Sequence, residues 1–208
     1  MKYCVTFILF MLLFSCCRSP HQADQLLDQA GKLVYSDPEQ ALKLLDSVSP
    51  SSLKRSSRYQ LYLLKIHAAY EANQDISKYP PLYNTARYFQ QQGDSAKASR
   101  AYLFTGIMDS KIGYYERASI NLSEAEENAP QKDSMLLFQI HYHRGKLYEL
   151  RHDHQAGAEA YQEAIRYHSS GDQYNDYEMG DCLLYTKQYT AARAYYKKAE
   201  QNALRSEE

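Results

Sequence analysis

The sequence predicts an all-α protein, an α-solenoid built from antiparallel helix pairs. Two observations predict it. A framework of small residues recurs at fixed spacing: twelve residues after Gly106, Gly145 and Gly180 stand Ala118, Gly157 and Ala192. Sixteen after stand Leu122, Tyr161 and Tyr196, and nineteen after stand Ala125, Ala164 and Ala199. A small residue on one helix lets a second helix approach closely, and a large one four positions further along the partner lies on the same face and fills the space beside it. The second observation is composition. With 8 Gly and 6 Pro in 208 residues, the chain is short of the turn formers that a many-stranded fold needs. The hydrophobic fraction of 44% is that of a folded domain, not a disordered one. The 24 Lys and Arg against 25 Asp and Glu leave no basic excess for nucleic acid, so no nucleic-acid partner is expected.

The elements follow in chain order. Residues 1–15 (MKYCVTFILFMLLFS) place Lys2 before an apolar run from Val5 to Phe14. That run is about half the ~20 residues needed to span a bilayer as a helix, and it fits the h-region of an export signal. Leu13-Phe14-Ser15-Cys16 stands where a small-x-small cleavage site would be. It resembles the bacterial lipobox, with Phe14 departing from the smaller residue usual at its place. The resemblance implies that Cys16 is lipidated and becomes the mature N-terminus, with residues 16–22 a short tether. A buried apolar N-terminal helix and a retained membrane anchor are the alternatives. Related lipoproteins bound for the cell surface carry an acidic run after the cysteine. Cys17-Arg18-Ser19-Pro20-His21 has none, which favours the periplasmic face of the outer membrane. Cys4 leaves with the signal, and Cys17 and Cys182 lie too far apart in an elongated array for a disulfide.

The array is expected over 23–204, with 205–208 a tail. Ala23 to Tyr35 supplies a first helix. Asp37-Pro38-Glu39 opens the next, with proline at its first position and acid at its positive end; Ala41, Leu45 and Val48 line its apolar face. Residues 58–72 and 81–92 form another pair with Ala68 or Ala69 as the close contact, although their connection, Asn73 to Pro80, is long. The three clear copies follow at 99–130, 138–170 and 173–204, giving about five pairs. Gly113-Tyr114 and Gln188-Tyr189 mark turns between paired helices.

These copies resemble the tetratricopeptide repeat, a helix–turn–helix unit of 34 residues with the signature W-x2-L-G-x2-Y, A-x3-F, P. The first carries Tyr102 at the tryptophan place, then Gly106, Ala118, Leu122, Ala125 and Pro130; the second carries His141, Gly145, Tyr148, Gly157, Tyr161 and Ala164. Tyrosine in place of Trp and Phe accounts for 21 Tyr and no Trp. The order of motifs from Leu27 through Ala125, beginning DPEQALKLLDSV, also resembles envelope proteins of Bacteroidota. Many of those continue into a membrane helix, a coiled coil and a helix-turn-helix output domain. No such segments follow here, so their regulatory activity is not carried over.

The resemblance implies a concave wall formed by the first helix of each pair, and a protein or peptide partner. The outward positions of those helices are Arg100, Leu103, Ile107 and Ser110 in the first copy. In the second they are Gln139, Tyr142, Lys146 and Glu149, and in the third Tyr174, Tyr177 and Asp181. Tyrosine offers wide, rigid contact area and a hydroxyl, although any one of these tyrosines can instead be packing between repeats. Paired Lys and Asn residues that clamp a terminal carboxylate in one subgroup of the family are not visible.

Catalysis has less to stand on. His141 and His143 point about 200° apart on one helix, and His152 and His154 fall at a turn. No HExxH, GxSxG or phosphate-cradling loop occurs. Neither a metal nor another cofactor is expected, and Glu124-Ala125-Glu126-Glu127 reads as a solvated helix face. The expectation is a non-enzymatic binding scaffold, held to the membrane by its lipid. A sensory or regulatory partner in envelope signalling is the first rival, and a metal-dependent hydrolase using the histidines the second.

Overall fold

A computed structural model describes residues 20–168 and 176–206. Among them the fold is all-helical, with ten α-helices and no strand. Cys16, expected to be lipidated, residues 1–15, expected to be an export signal, and Tyr174 lie outside the described residues. No helix among those described is long and apolar enough to cross a membrane.

The described residues divide into two compact units, the first ending at Ala72 and the second beginning at Asn73. In the first, α1 (Pro20–Leu33) and α2 (Pro38–Asp46) pack together, and α3 (Arg55–Glu71) packs on both. The Asp37 carboxylate caps α2 by accepting from the Gln40 amide at 2.9 Å, and Pro38 occupies the first turn, where its missing N–H costs nothing. Ala23, Leu27 and Ala30 of α1 and Ala41 and Leu45 of α2 are buried at helical spacing.

The second unit holds α4 (Tyr83–Gln91), α5 (Ser95–Lys111), α6 (Tyr115–Asn128), α7 (Ser134–Leu150), α8 (His154–Tyr167), α9 (Asp176–Tyr185) and α10 (Tyr189–Ser206). Residues 58–72 lie in the first unit, where α3 packs on α1 and α2, and residues 81–92 in the second, where α4 packs on α5.

Three successive pairs dominate this unit: α5 with α6, α7 with α8, and α9 with α10. In the first, Asp109 meets Asn121, Gly106 meets Leu122 and Ser99 bonds to the carbonyl of Ala125. One position rises as the other falls, so the helices run antiparallel. The turn between them closes with the Tyr114 amide on the Asp109 carbonyl at 2.8 Å, and Gly113 sits at φ +84°, where a Cβ is disfavoured. Three aspartates start helices in the same way: Asp94, Asp133 and Asp153 accept from Lys97, Leu136 and Ala156 amides at 3.1–3.2 Å, as N-caps do. Pro130 stops α6, its predecessor Ala129 being driven extended.

The three framework glycines lie buried in α5, α7 and α9, each against its paired helix. A Cβ at Gly145 would stand 2.6 Å from the Tyr161 ring, and one at Gly180 2.5 Å from the Tyr196 ring. At Gly106 it would meet Leu122 at 3.0 Å. The residue sixteen positions after each glycine is therefore the one that covers it.

Candidate functional site

The first helices α5, α7 and α9 come together through side chains the sequence placed on one wall. Ile107 and Ser110 from α5, with Tyr142 and Lys146 from α7, line a cavity of about 160 Å³ that is floored by Gly106 and Leu122. From α7 the contact continues to α9, where the Tyr142 hydroxyl donates to Asp181 Oδ2 at 2.9 Å. Asp181 also accepts from Tyr196 at 2.8 Å, and the Lys146 ammonium stands 4.0 Å away. Burial, then the Asp181 contact, holds the Tyr196 hydroxyl above the ordinary tyrosine range.

Not every expected wall residue is presented. Leu103, Gln139, Ile107 and Tyr142 are buried, at 0%, 3%, 5% and 6% exposure, and this corrects their assignment to an open surface, although Ile107 and Tyr142 still border the cavity. The reason is neighbours on several sides: α5 packs against α4, α6 and α7, and α7 against α5, α6 and α8. Arg100 is half-buried, its Nη2 3.4 Å from Asp133. Glu149 accepts the Tyr161 hydroxyl at 2.6 Å; burial first, then this bond, raises the Tyr161 hydroxyl far above its usual range. Tyr177 is exposed and lies 5.4 Å from the Tyr196 ring. With Arg193, Tyr196, Lys197 and Glu200 it borders an open depression of about 1140 Å³.

His141 and His143 have different surroundings. His141 is buried, stacked on Tyr167 at 5.3 Å, with Nε2 3.4 Å from Glu126. Burial, reinforced by Arg144 and opposed by Glu126, lowers its affinity for a proton. His143 is half-buried beside the cavity. Burial and the nearby Lys146 and Lys111 push its imidazole down to about 3.

The Glu124–Glu127 run is not a uniformly solvated face. Ala125 is fully buried, and Glu126 accepts from Arg144 Nη2 at 2.6 Å, tying α6 to α7. The buried Asp109, which sequence reasoning missed, collects the Tyr83 hydroxyl at 2.7 Å, Asn121 at 3.0 Å and the Arg117 guanidinium. The signal was present: a lone acid three residues after Gly106, inside an apolar run, needs partners, and Asn121 and Arg117 stand twelve and eight residues on. Cys182, the free cysteine among the described residues, is buried, and burial raises its thiol.

Comparison of the chain with family models, with curated proteins and with solved structures returns no match.

Proposed function

We propose that this chain is a non-enzymatic scaffold of the bacterial cell envelope, anchored through a lipid on Cys16, that binds a protein or peptide partner along the wall formed by α5, α7 and α9. In this reading the three pairs are tetratricopeptide repeats and the outer membrane's periplasmic face is the site of action. The observation that carries it is the meeting of residues from three separate first helices. Ile107 and Ser110 share a cavity with Tyr142 and Lys146, and Tyr142 bonds to Asp181. A wall assembled from successive repeats is the surface that repeat arrays use for recognition. Exposed Tyr177 and the half-exposed Lys146 supply rigid aromatic area and charge on it.

The test is photo-crosslinking in living cells from probes at Ser110 and at Tyr177, with a third at exposed Glu159 on α8. The account expects one shared protein adduct from the first two positions and its absence from the third. Identical adducts from all three contradict a specific wall. The anchor is tested separately: Cys16→Ala moves the protein from the membrane fraction to the soluble periplasmic fraction. Continued membrane association with the signal uncut contradicts lipidation.

A further inference from the structure

The three pairs share the glycine contact but differ in what covers the glycine. In the second, the Tyr161 ring covers Gly145, its hydroxyl donates to Glu149, and it stacks on Tyr185 at 5.1 Å. In the third, the Tyr196 ring covers Gly180 and its hydroxyl donates to Asp181. In the first, the covering residue is Leu122, which has neither ring nor hydroxyl.

The surroundings of Tyr161 can be carried to the first pair position by position. Gly145 corresponds to Gly106. Glu149, four residues after its glycine, corresponds to Ser110. Tyr185, five residues after the next glycine, corresponds to Leu150. Gly106, Ser110 and Leu150 all line the cavity of about 160 Å³, together with Leu122. Leu122 covers Gly106 in the first pair, and the cavity lies beside it, among positions that correspond to the surroundings of the Tyr161 ring. The size of the cavity suits such a ring, since an apolar cavity of ~150 Å³ accepts benzene.

We propose that this cavity is a docking pocket for one aromatic side chain, a phenylalanine, delivered by a partner peptide that completes the first pair in place of its own absent ring. The proposal rests on the binding-wall reading and names the chemistry recognised there. The rim selects the residues beside the ring. Lys111 and Lys146 both border the cavity and are about half exposed, so an acidic residue next to the phenylalanine is favoured over a basic one. Their present partners leave room for this: Asp75 lies 3.3 Å from Lys111 and is itself exposed, and Asp181 is 4.0 Å from Lys146. Ile107 and Tyr142 supply the apolar wall, and Ser110 leaves no carboxylate to repel an acidic peptide.

The test uses two probes on the full mature chain. Toluene is titrated while methyl resonances of Ile107, Leu122 and Leu150 are followed by NMR. A labelled nonapeptide with central Asp-Phe-Asp is titrated by fluorescence anisotropy, beside Asp-Ala-Asp and Lys-Phe-Lys versions. The expected result is saturable methyl shifts with toluene, and binding of Asp-Phe-Asp at least tenfold tighter than of either control. Leu122→Tyr, which installs the residue of the other two pairs, should abolish both signals while keeping helical circular dichroism. Ser110→Phe fills the same space from the opposite wall without touching the Gly106 contact, and serves if Leu122→Tyr misfolds. Absence of saturable methyl shifts in the wild type, or toluene binding unchanged in the filled variants, overturns the proposal. Equal affinity for Asp-Phe-Asp and Asp-Ala-Asp overturns it too. A crosslinked partner in cells whose yield from Tyr177 is unaffected by Leu122→Tyr would leave the wall standing and remove the pocket. Toluene binding without any cellular adduct would do the reverse.

Discussion

Tyr161 joins several constraints in one side chain. Its ring roofs Gly145, its hydroxyl reaches Glu149, and a second ring, Tyr185, stacks on it from the next pair. A buried hydroxyl without an acceptor is costly, and Glu149 and Asp181 provide one for Tyr161 and Tyr196. Two imidazoles of α7 are held away from their ordinary range. The folded chain holds His141 below its usual range and His143 down to about 3, whereas both take protons near 6.5 when unfolded. The unfolded state therefore binds more protons as pH falls, and stability present above about pH 6.5 is lost below it. Melting temperature should drop between pH 7 and 5, before carboxylates near pH 4 contribute. The His141→Gln/His143→Gln double variant should flatten that slope. An unchanged slope contradicts the assignment.

Helix pairs show what the sequence could and could not disclose. The glycine spacing located α5 to α10 and the turns at Gly113 and Gln188, because close approach of two helices admits few residue types. The large residue that covers each glycine was legible for the same reason. The neighbours of α3 and α4 within their own units were not, since apolar stripes say that a helix is buried but not against which neighbour. Leu103, Ile107, Gln139 and Tyr142 were misplaced because their helix faces were assigned from one partner, and α5 and α7 each have several. The Glu126–Arg144 tie was hidden in an acid run that composition alone makes look solvated. Ala118 and Ala192, at 0% and 2% exposure, sit at the tight contacts of their pairs. Replacing either with Leu should overpack the contact and cost about 1–3 kcal/mol. Denaturant melts indistinguishable from wild type would show that these contacts can yield.

Across the whole molecule, one contact is used three times with one variation. Gly145 and Gly180 lie beneath tyrosine rings and Gly106 beneath a leucine, beside which the cavity of about 160 Å³ lies. No single pair has enough apolar surface to hold alone, so each depends on its neighbours. The central claim is that these glycines are required by nesting, not tolerated by chance, and Gly157 provides the internal control. A Cβ at Gly157 would have its nearest heavy atom at 3.6 Å, an ordinary contact, and the other two pairs carry alanine there. The most direct measurement is the unfolding free energy, by denaturant titration, of Gly145→Ala beside Gly157→Ala. Both gain up to about 1 kcal/mol from helix propensity. Gly157→Ala should be neutral or stabilised, and Gly145→Ala should fall below wild type by about 1 kcal/mol or more as the Tyr161 ring is forced aside. Equal stabilisation of the two variants would contradict the nested pairs on which the account stands.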